Sequence, residues 1–184
     1  MADAELARFI DRYTVEYLRT FPHPIERVWK AIADPAEIGQ RFVPPTKWDL
    51  REGGAYRSHD DDMSGAILAF EPPRLIRFQD TTKNGPDAWF QFELEPVADG
   101  TRMRFGQHTT PGVAHEQQPP HAWDTPWYPG MLGGWHAAFE SLAELLDGGL
   151  DGGMSKPSDR ARWHELDILY RAHVDATLPP ATRG

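Results

Sequence analysis

The sequence predicts an α+β fold: a seven-stranded antiparallel sheet, a long helix that follows it, and one further C-terminal helix. Three observations carry this prediction. Between residues 46 and 110, six runs of strand character are separated by short turn signals. A seventh run at 13 to 21 precedes them, set apart by two short helical segments. The stretch GGWHAAFESLAELLDGG, residues 133 to 149, then spaces its heavy side chains three and four apart, as a helix does.

Taken in order, residues 3 to 12 read as a short leading helix. YTVEYLRTF alternates and puts Tyr13, Val15, Tyr17, Arg19 and Phe21 on one face. Ile25, Val28, Trp29 and Ile32 then follow amphipathic helical spacing. Pro24 suits the start of that helix, where a missing N–H costs nothing. Asp34-Pro35 ends it, and Pro35 opens a second short helix to about Phe42. The strands come next. TKWDLRE precedes Gly53-Gly54, GAYRSHD precedes an acidic tip at Asp60 to Asp62, and SGAILAFE precedes Pro72-Pro73. RLIRFQD runs into TTKNGPD, where Asn84-Gly85 is a strong turn pair. DAWFQFELEPV precedes Ala98-Asp99-Gly100, and TRMRFGQHTT closes the set. Short loops between consecutive strands make an antiparallel meander.

The connection PGVAHEQQPPHAWDTPWYPG, 111 to 130, holds five prolines, which prevent a regular helix or a central strand. A connection this long tends to be a lid or a binding loop. In the helix after it, Leu132, Trp135, Phe139, Leu142 and Leu146 share one face, with Glu140 and Glu144 opposite. Gly148 suits its C-terminal cap. GGLDGGMSKP reads as a linker. Ser158 suits the N-cap of a last helix reaching about Thr177, with Trp163, Leu166, Tyr170 and Val174 as its apolar stripe. That stripe needs the domain or a partner chain to cover it. The expected units are a leading segment at 1–12, a main domain at 13–147, a linker at 148–157, a helix at 158–177 and a tail at 178–184.

Composition narrows the function. A chain of 184 residues is enough for one domain with a real core. A net charge of −9 opposes nucleic acid and anionic membrane as partners. With no cysteine, disulfides, thiolate metal sites and Cys nucleophiles are excluded. The start MADAELARFIDRY lacks the basic end and apolar run of a signal peptide. No apolar run approaches the ~20 residues of a membrane span. The expectation is a soluble, cytoplasmic protein.

Five stretches occur in a telling order: FPHPIERVWKAIADPAEI at 21 to 38, GGAYR at 53 to 57, GAILAFEPPRLIRF at 65 to 78, FELEPVADGTRMRF at 92 to 105 and GGWHAAFESLAELL at 133 to 146. Their order and spacing resemble the START-like (SRPBCC) superfamily. Within it they resemble the bacterial branch named after the activator of the heat-shock-protein-90 ATPase. The resemblance covers about residues 13 to 147. It implies a helix-grip fold, a curved sheet wrapped around the long helix with an apolar cavity between them. The chain departs from the pattern in its long, Trp- and Pro-rich connection and in the tail from 150 to 184. Nothing in it matches the N-terminal chaperone-binding domain of the eukaryotic activator, so the family name alone carries no co-chaperone role.

Strand parity sorts the side chains. Ala88, Phe90, Phe92 and Leu94 fall on one inner face, as do Met103, Phe105, Gln107 and Thr109. So do Ile76, Phe78 and Asp80, and so do Trp48 and Leu50, while the strands at 54 to 60 and 64 to 71 are left open. The lining expected for a small hydrophobic ligand is Trp48, Phe78, Phe90, Phe92, Met103, Phe105, Trp135 and Phe139. Arg19, Asp80 and Gln107 are polar members of the same faces. A buried charge is costly unless paired, so Arg19 and Asp80 either pair or point into a wet cavity that orients the ligand. The competing reading ends the strands early and leaves Asp80 and Gln107 at a solvent rim. Trp123, Trp127, Tyr128 and Met131 read either as a gate over the cavity or as anchors for the long connection; Trp127 and Met131 join the expected ligand-binding set.

Other chemistry is weakly supported. His115, His121 and Asp124, and His59 beside the aspartates, lack zincin spacing, so no metal and no cofactor are expected. Ser58, Ser64 and Ser141 lack a G-x-S-x-G frame. Gly133-Gly134 carries no dinucleotide fingerprint. His136 lies at the edge of the Trp135 stripe, where a structural role competes with acid–base work. No residue is assigned as catalytic. Three functions remain: binding of a small hydrophobic molecule, an enzyme like the polyketide cyclases and aromatases of the resembled superfamily, or an interaction protein. The enzyme would act through Arg19, Asp80, Gln107 or His136. The interaction protein would be chaperone-associated or a homodimer through the last helix.

Overall fold

The computed structural model describes residues 6–59, 63–81, 87–109, 129–149 and 161–177, with the backbone alone at 157–160. In chain order the elements are β1 (Arg8–Asp11), β2 (Thr14–Phe21), α1 (Ile25–Ala33), α2 (Pro35–Arg41), β3 (Pro45–Trp48) and β4 (Ala55–Ser58). They continue with β5 (Ser64–Glu71), β6 (Leu75–Gln79), β7 (Trp89–Val97), β8 (Gly100–His108), α3 (Pro129–Leu146) and α4 (Pro157–Thr177). The strands form one open sheet in the order β1-β2-β8-β7-β6-β5-β4-β3, with every pairing antiparallel.

Local chemistry sets the element ends. The Asp34 side chain accepts a hydrogen bond from Ala36 N at 2.9 Å, and Pro35 follows it in the first turn of α2. Gly100 turns β7 into β8 at φ +136°, where a Cβ would stand 2.0 Å from the Phe21 carbonyl oxygen. Only glycine fits there. After α3, Gly148 takes φ +75°, and the Gly148 and Gly149 N–H groups donate to Leu145 O and Glu144 O.

Register stacks the inner side chains in rows. One row runs Val15, Gln107, Phe90, Phe78, Ile67. The next runs Tyr17, Phe105, Phe92, Ile76, Phe70. The helix α3 covers these rows, with Leu132, Phe139 and Leu142 buried against them. The Tyr17 hydroxyl ties β2 to the helix by donating to Leu132 O at 2.8 Å.

Several expectations are corrected. Residues 8–11 form a strand, not part of a leading helix, so the sheet has eight strands and not seven. Leu6, Phe9 and Ile10 carry a helical spacing, but the free edge of β2 offers unpaired backbone groups, and α4 covers Ala7 and Phe9. Ala7 N donates to the Tyr170 hydroxyl, and Ala7 O faces His173 Nε2 at 2.7 Å. The stripe Leu166, Tyr170, Val174 is wholly buried in its own chain, with Trp163 partly so. It is therefore not a free surface for a homodimer. Gly133 and Gly134 lie inside α3, and their lack of side chains admits α4. A Cβ at Gly133 would meet Leu166 Cβ at 3.2 Å, and one at Gly134 would meet Trp163 Cη2 at 3.0 Å.

Glu140, expected on the solvent side of the helix, faces α4. Arg162 grips it with Nε at 3.0 Å and Nη2 at 2.5 Å, and His136 Nε2 stands 3.6 Å away. Burial pushes the Glu140 carboxyl up, but the bonds from His136 and Arg162 outweigh it and hold its pKa down at about 2, from an ordinary 4.5. A carboxyl depressed in the folded state stabilises the fold above its unfolded pKa and loses that contribution as pH falls. The urea midpoint should therefore drop between pH 4.5 and about 2. Glu140→Gln should flatten that drop; equal drops in both proteins would show that this carboxyl is not its source.

Candidate functional site

The inner rows and α3 build a wall of stacked rings. Phe78 lies on Phe90 at 4.8 Å and 19°, and Trp48 lies on Phe78 at 5.4 Å and 29°. Tyr56 meets Phe78 edge-on at 4.9 Å. Trp135 reaches from α3 to Phe105 at 4.3 Å and to Phe90 at 5.7 Å. It also stacks on Phe42 at 5.6 Å and 15°. Phe92, Met103 and Phe139 continue the wall and are buried, and Met131 is partly buried beside it. Period 2 in the strands and spacing of four in α3 bring these rings to one face. Trp127, with Trp123 and Tyr128, lies outside the described residues.

Polar groups on this wall are few and held. Gln107 is 3% exposed, and its Oε1 accepts from Trp135 Nε1 at 2.7 Å. Indole nitrogen is a donor only, so this bond fixes which end of the carboxamide faces Trp135. The Gln107 amide nitrogen makes no hydrogen bond among the described residues. Asp80 is also 3% exposed, level with Ala88 one row beyond. Burial overturns the solvent-rim reading for both residues. Tyr56 donates to Gln79 O at 2.7 Å. Burial, and then the charge of Asp80, push its phenol far up, so it stays a neutral donor.

Arg19 and Asp80 are not brought together. Arg19 shares a row with Met103 and Leu94, whereas Asp80 is level with Ala88. Six residues of β7 separate those rows, about 20 Å of strand. The Arg19 guanidinium instead lies over the rings of Tyr17 and Phe139 at 5.7 and 5.6 Å, and Nη1 donates to Leu18 O. His136 is 2% exposed and points at α4, with Nδ1 3.0 Å from the Tyr170 hydroxyl. Its role in this geometry is to join helices.

Two ring contributors escaped the sequence reading, Phe42 and Tyr56. Ile38, Arg41 and Phe42 are spaced by three and four, a helical signal weakened by the shortness of α2. Tyr56 and Ser58 sit in a four-residue strand, too short for alternation to declare a face. Among the described residues no three His, Asp or Glu side chains gather as a metal site. The arrangement presents flat ring surface in which Gln107 and Asp80 are the buried polar members.

Comparison with known proteins agrees with this architecture. A family model described as activator of Hsp90 ATPase homolog 1-like protein matches residues 22–147. The solution structure of CalU16 from Micromonospora echinospora matches with TM-score 0.68 at 24% identity, covering 96% of this chain and 99% of that one. Protein CV1439 from Chromobacterium violaceum matches with TM-score 0.57 at 23% identity, covering 76% and 99%. DynU16, a protein of the dynemicin biosynthetic locus, matches with TM-score 0.62 at 20% identity, covering 78% of this chain and 50% of that one. At these identities the likeness is one of fold. The comparison with curated proteins found no match. The CalU16 match extends over nearly the whole chain, beyond the stretch covered by the family model.

Proposed function

We propose that this chain, which belongs to the family of activator of Hsp90 ATPase homolog 1-like proteins, binds a small hydrophobic, ring-containing molecule between the sheet and α3. One observation carries the reading: the inner face is a continuous stack of rings in which Gln107 and Asp80 are buried and polar. An apolar pocket with a few placed polar groups is the usual form of a small-molecule site. The composition supports a cytoplasmic location, and among the described residues no helix is long and apolar enough to cross a membrane.

Native mass spectrometry of the purified chain tests this directly. A co-purified mass, lost from Trp135→Ala, is the expected result. A wild-type protein that carries no ligand and shows no saturable quenching of tryptophan fluorescence by any naphthyl or anthracenyl probe would overturn it.

The cyclase-like enzyme is a second reading, favoured by the buried Asp80 beside the neutral Tyr56 phenol. His136 leaves the list of groups for it, because it faces α4, and Arg19 lies about 20 Å of strand away from Asp80. Catalysis by positioning would then rest on Asp80 and Gln107, and Asp80→Asn is the variant to assay. The interaction-protein reading loses its motive, since the stripe of α4 that suggested it is spent on α3 and β1.

A further inference from the structure

One buried cation, Arg41, forms no ion pair among the described residues. Arg41, the last residue of α2, is 5% exposed. Its Nε donates to Ala31 O at 3.1 Å, near the end of α1. Its terminal nitrogens make no hydrogen bond among the described residues, and no carboxylate lies within ion-pair distance there. The nearby acid is already taken: Glu37 holds Arg27 at 2.6 Å and Lys30 at 3.1 Å. A buried charge is normally paired and fully hydrogen-bonded. The C-terminal carbonyls of α1 supply a partial negative charge, but among the described residues one of the guanidinium's five N–H groups is engaged.

The place of this cation is informative. Phe42 follows Arg41 in the chain and stacks on Trp135. Trp48 donates to Ala33 O, two residues from the carbonyl that Arg41 holds, and stacks on Phe78. The guanidinium therefore lies at the C-terminal end of α1, where Trp48 of the ring wall also donates to a helix carbonyl. Burial lowers its pKa to about 10, so it remains a cation at neutral pH. The chain as a whole carries −9 and repels anions at a distance, so a preference for an anion needs a local cation of this kind.

We propose that Arg41 selects the ligand's charge, so that the ring-containing molecule carries an oxyanion, a carboxylate or its equivalent, that pairs with this guanidinium. The inference rests on the binding reading above and adds a specificity to it. Guanidinium binds such groups through two parallel N–H bonds, which lysine cannot reproduce.

Two probes with one aromatic body separate the claims: 8-anilinonaphthalene-1-sulfonate, which is anionic, and N-phenyl-1-naphthylamine, which is neutral. Both are titrated into the full chain by fluorescence, with near-ultraviolet circular dichroism confirming the native fold. The wild type should bind the anionic probe roughly 10-fold or more tighter. Arg41→Gln should erase that preference, and Arg41→Lys should keep only part of it. Equal binding of the two probes by the wild type, or an undiminished preference in Arg41→Gln, overturns the charge selection and leaves the binding site standing. Saturable binding of neither probe overturns both. If Arg41→Gln does not fold, calorimetry of the wild type with 1-naphthoate against 1-naphthamide decides: a preference for the carboxylate supports the proposal, and equal affinities overturn it.

Discussion

Phe105→Ala is expected to lower stability by about 3–5 kcal/mol, the range for truncating a buried aromatic. Phe105 is wholly buried at the centre of the sheet, between Tyr17 and Phe92 in register. Its ring stands 4.3 Å from Trp135, 5.0 Å from Phe92 and 5.1 Å from Phe139. It is thus the ring through which α3 leans on the strands. A domain's whole stability is about 5–15 kcal/mol, so this loss is a large share. Equilibrium unfolding in urea measures it. Phe105→Leu, which keeps most of the volume, should cost less than about 1.5 kcal/mol. A cost below about 1 kcal/mol for the alanine variant would mean that the helix and sheet do not close on each other here.

The second large effect is expected at Tyr170. This residue is also wholly buried, and its hydroxyl is shared by three elements: it accepts from Ala7 N at 3.2 Å and lies 3.0 Å from His136 Nδ1. Tyr170→Ala should cost about 3–5 kcal/mol through the lost ring, with Ala7 N–H and His136 orphaned in addition. Tyr170→Phe isolates the hydroxyl and should cost about 1–3 kcal/mol. The damage should be local. Amides of α4 and β1 should lose hydrogen-exchange protection while those of β7 and β8 keep theirs. Unchanged protection in α4 would show that the helix is held by something other than this residue. Although α4 lies past the stretch that matches the family model, these contacts make it part of the same folded unit.

The long, strongly patterned elements were legible. In β7 and β8 the alternation placed Phe90, Phe92, Met103, Phe105 and Gln107 on the buried face, where they are found. In α1 the spacing of Val28 and Ile32 and the Asp34-Pro35 boundary fall as expected. The aromatic character of the wall was legible for the same reason. Short elements were not. Four residues of β1 contain two alternations, and the helix-forming residues before them outweighed that signal. Arg41 and Phe42 sit at the end of a seven-residue helix, where a periodic pattern barely completes two turns. Glu140 looked like a solvated acid because its partner, Arg162, is 22 residues away on another helix.

What the sequence determined by itself was the type of each long element and the face it would bury. Those facts are written in separations of two, three and four residues, which local geometry alone converts into one side of a strand or helix. What only the tertiary structure decided was who covers whom. The edge strand β1, the docking of α4 on Gly133 and Gly134, the turn of His136 away from the sheet and the burial of Arg41 against the end of α1 all depend on tertiary partners. Ala7 and Tyr170 are 163 residues apart, and Gln107 and Trp135 are 28 apart. No local period records such pairs, because their free energy arises only when the chain has already brought the two surfaces together.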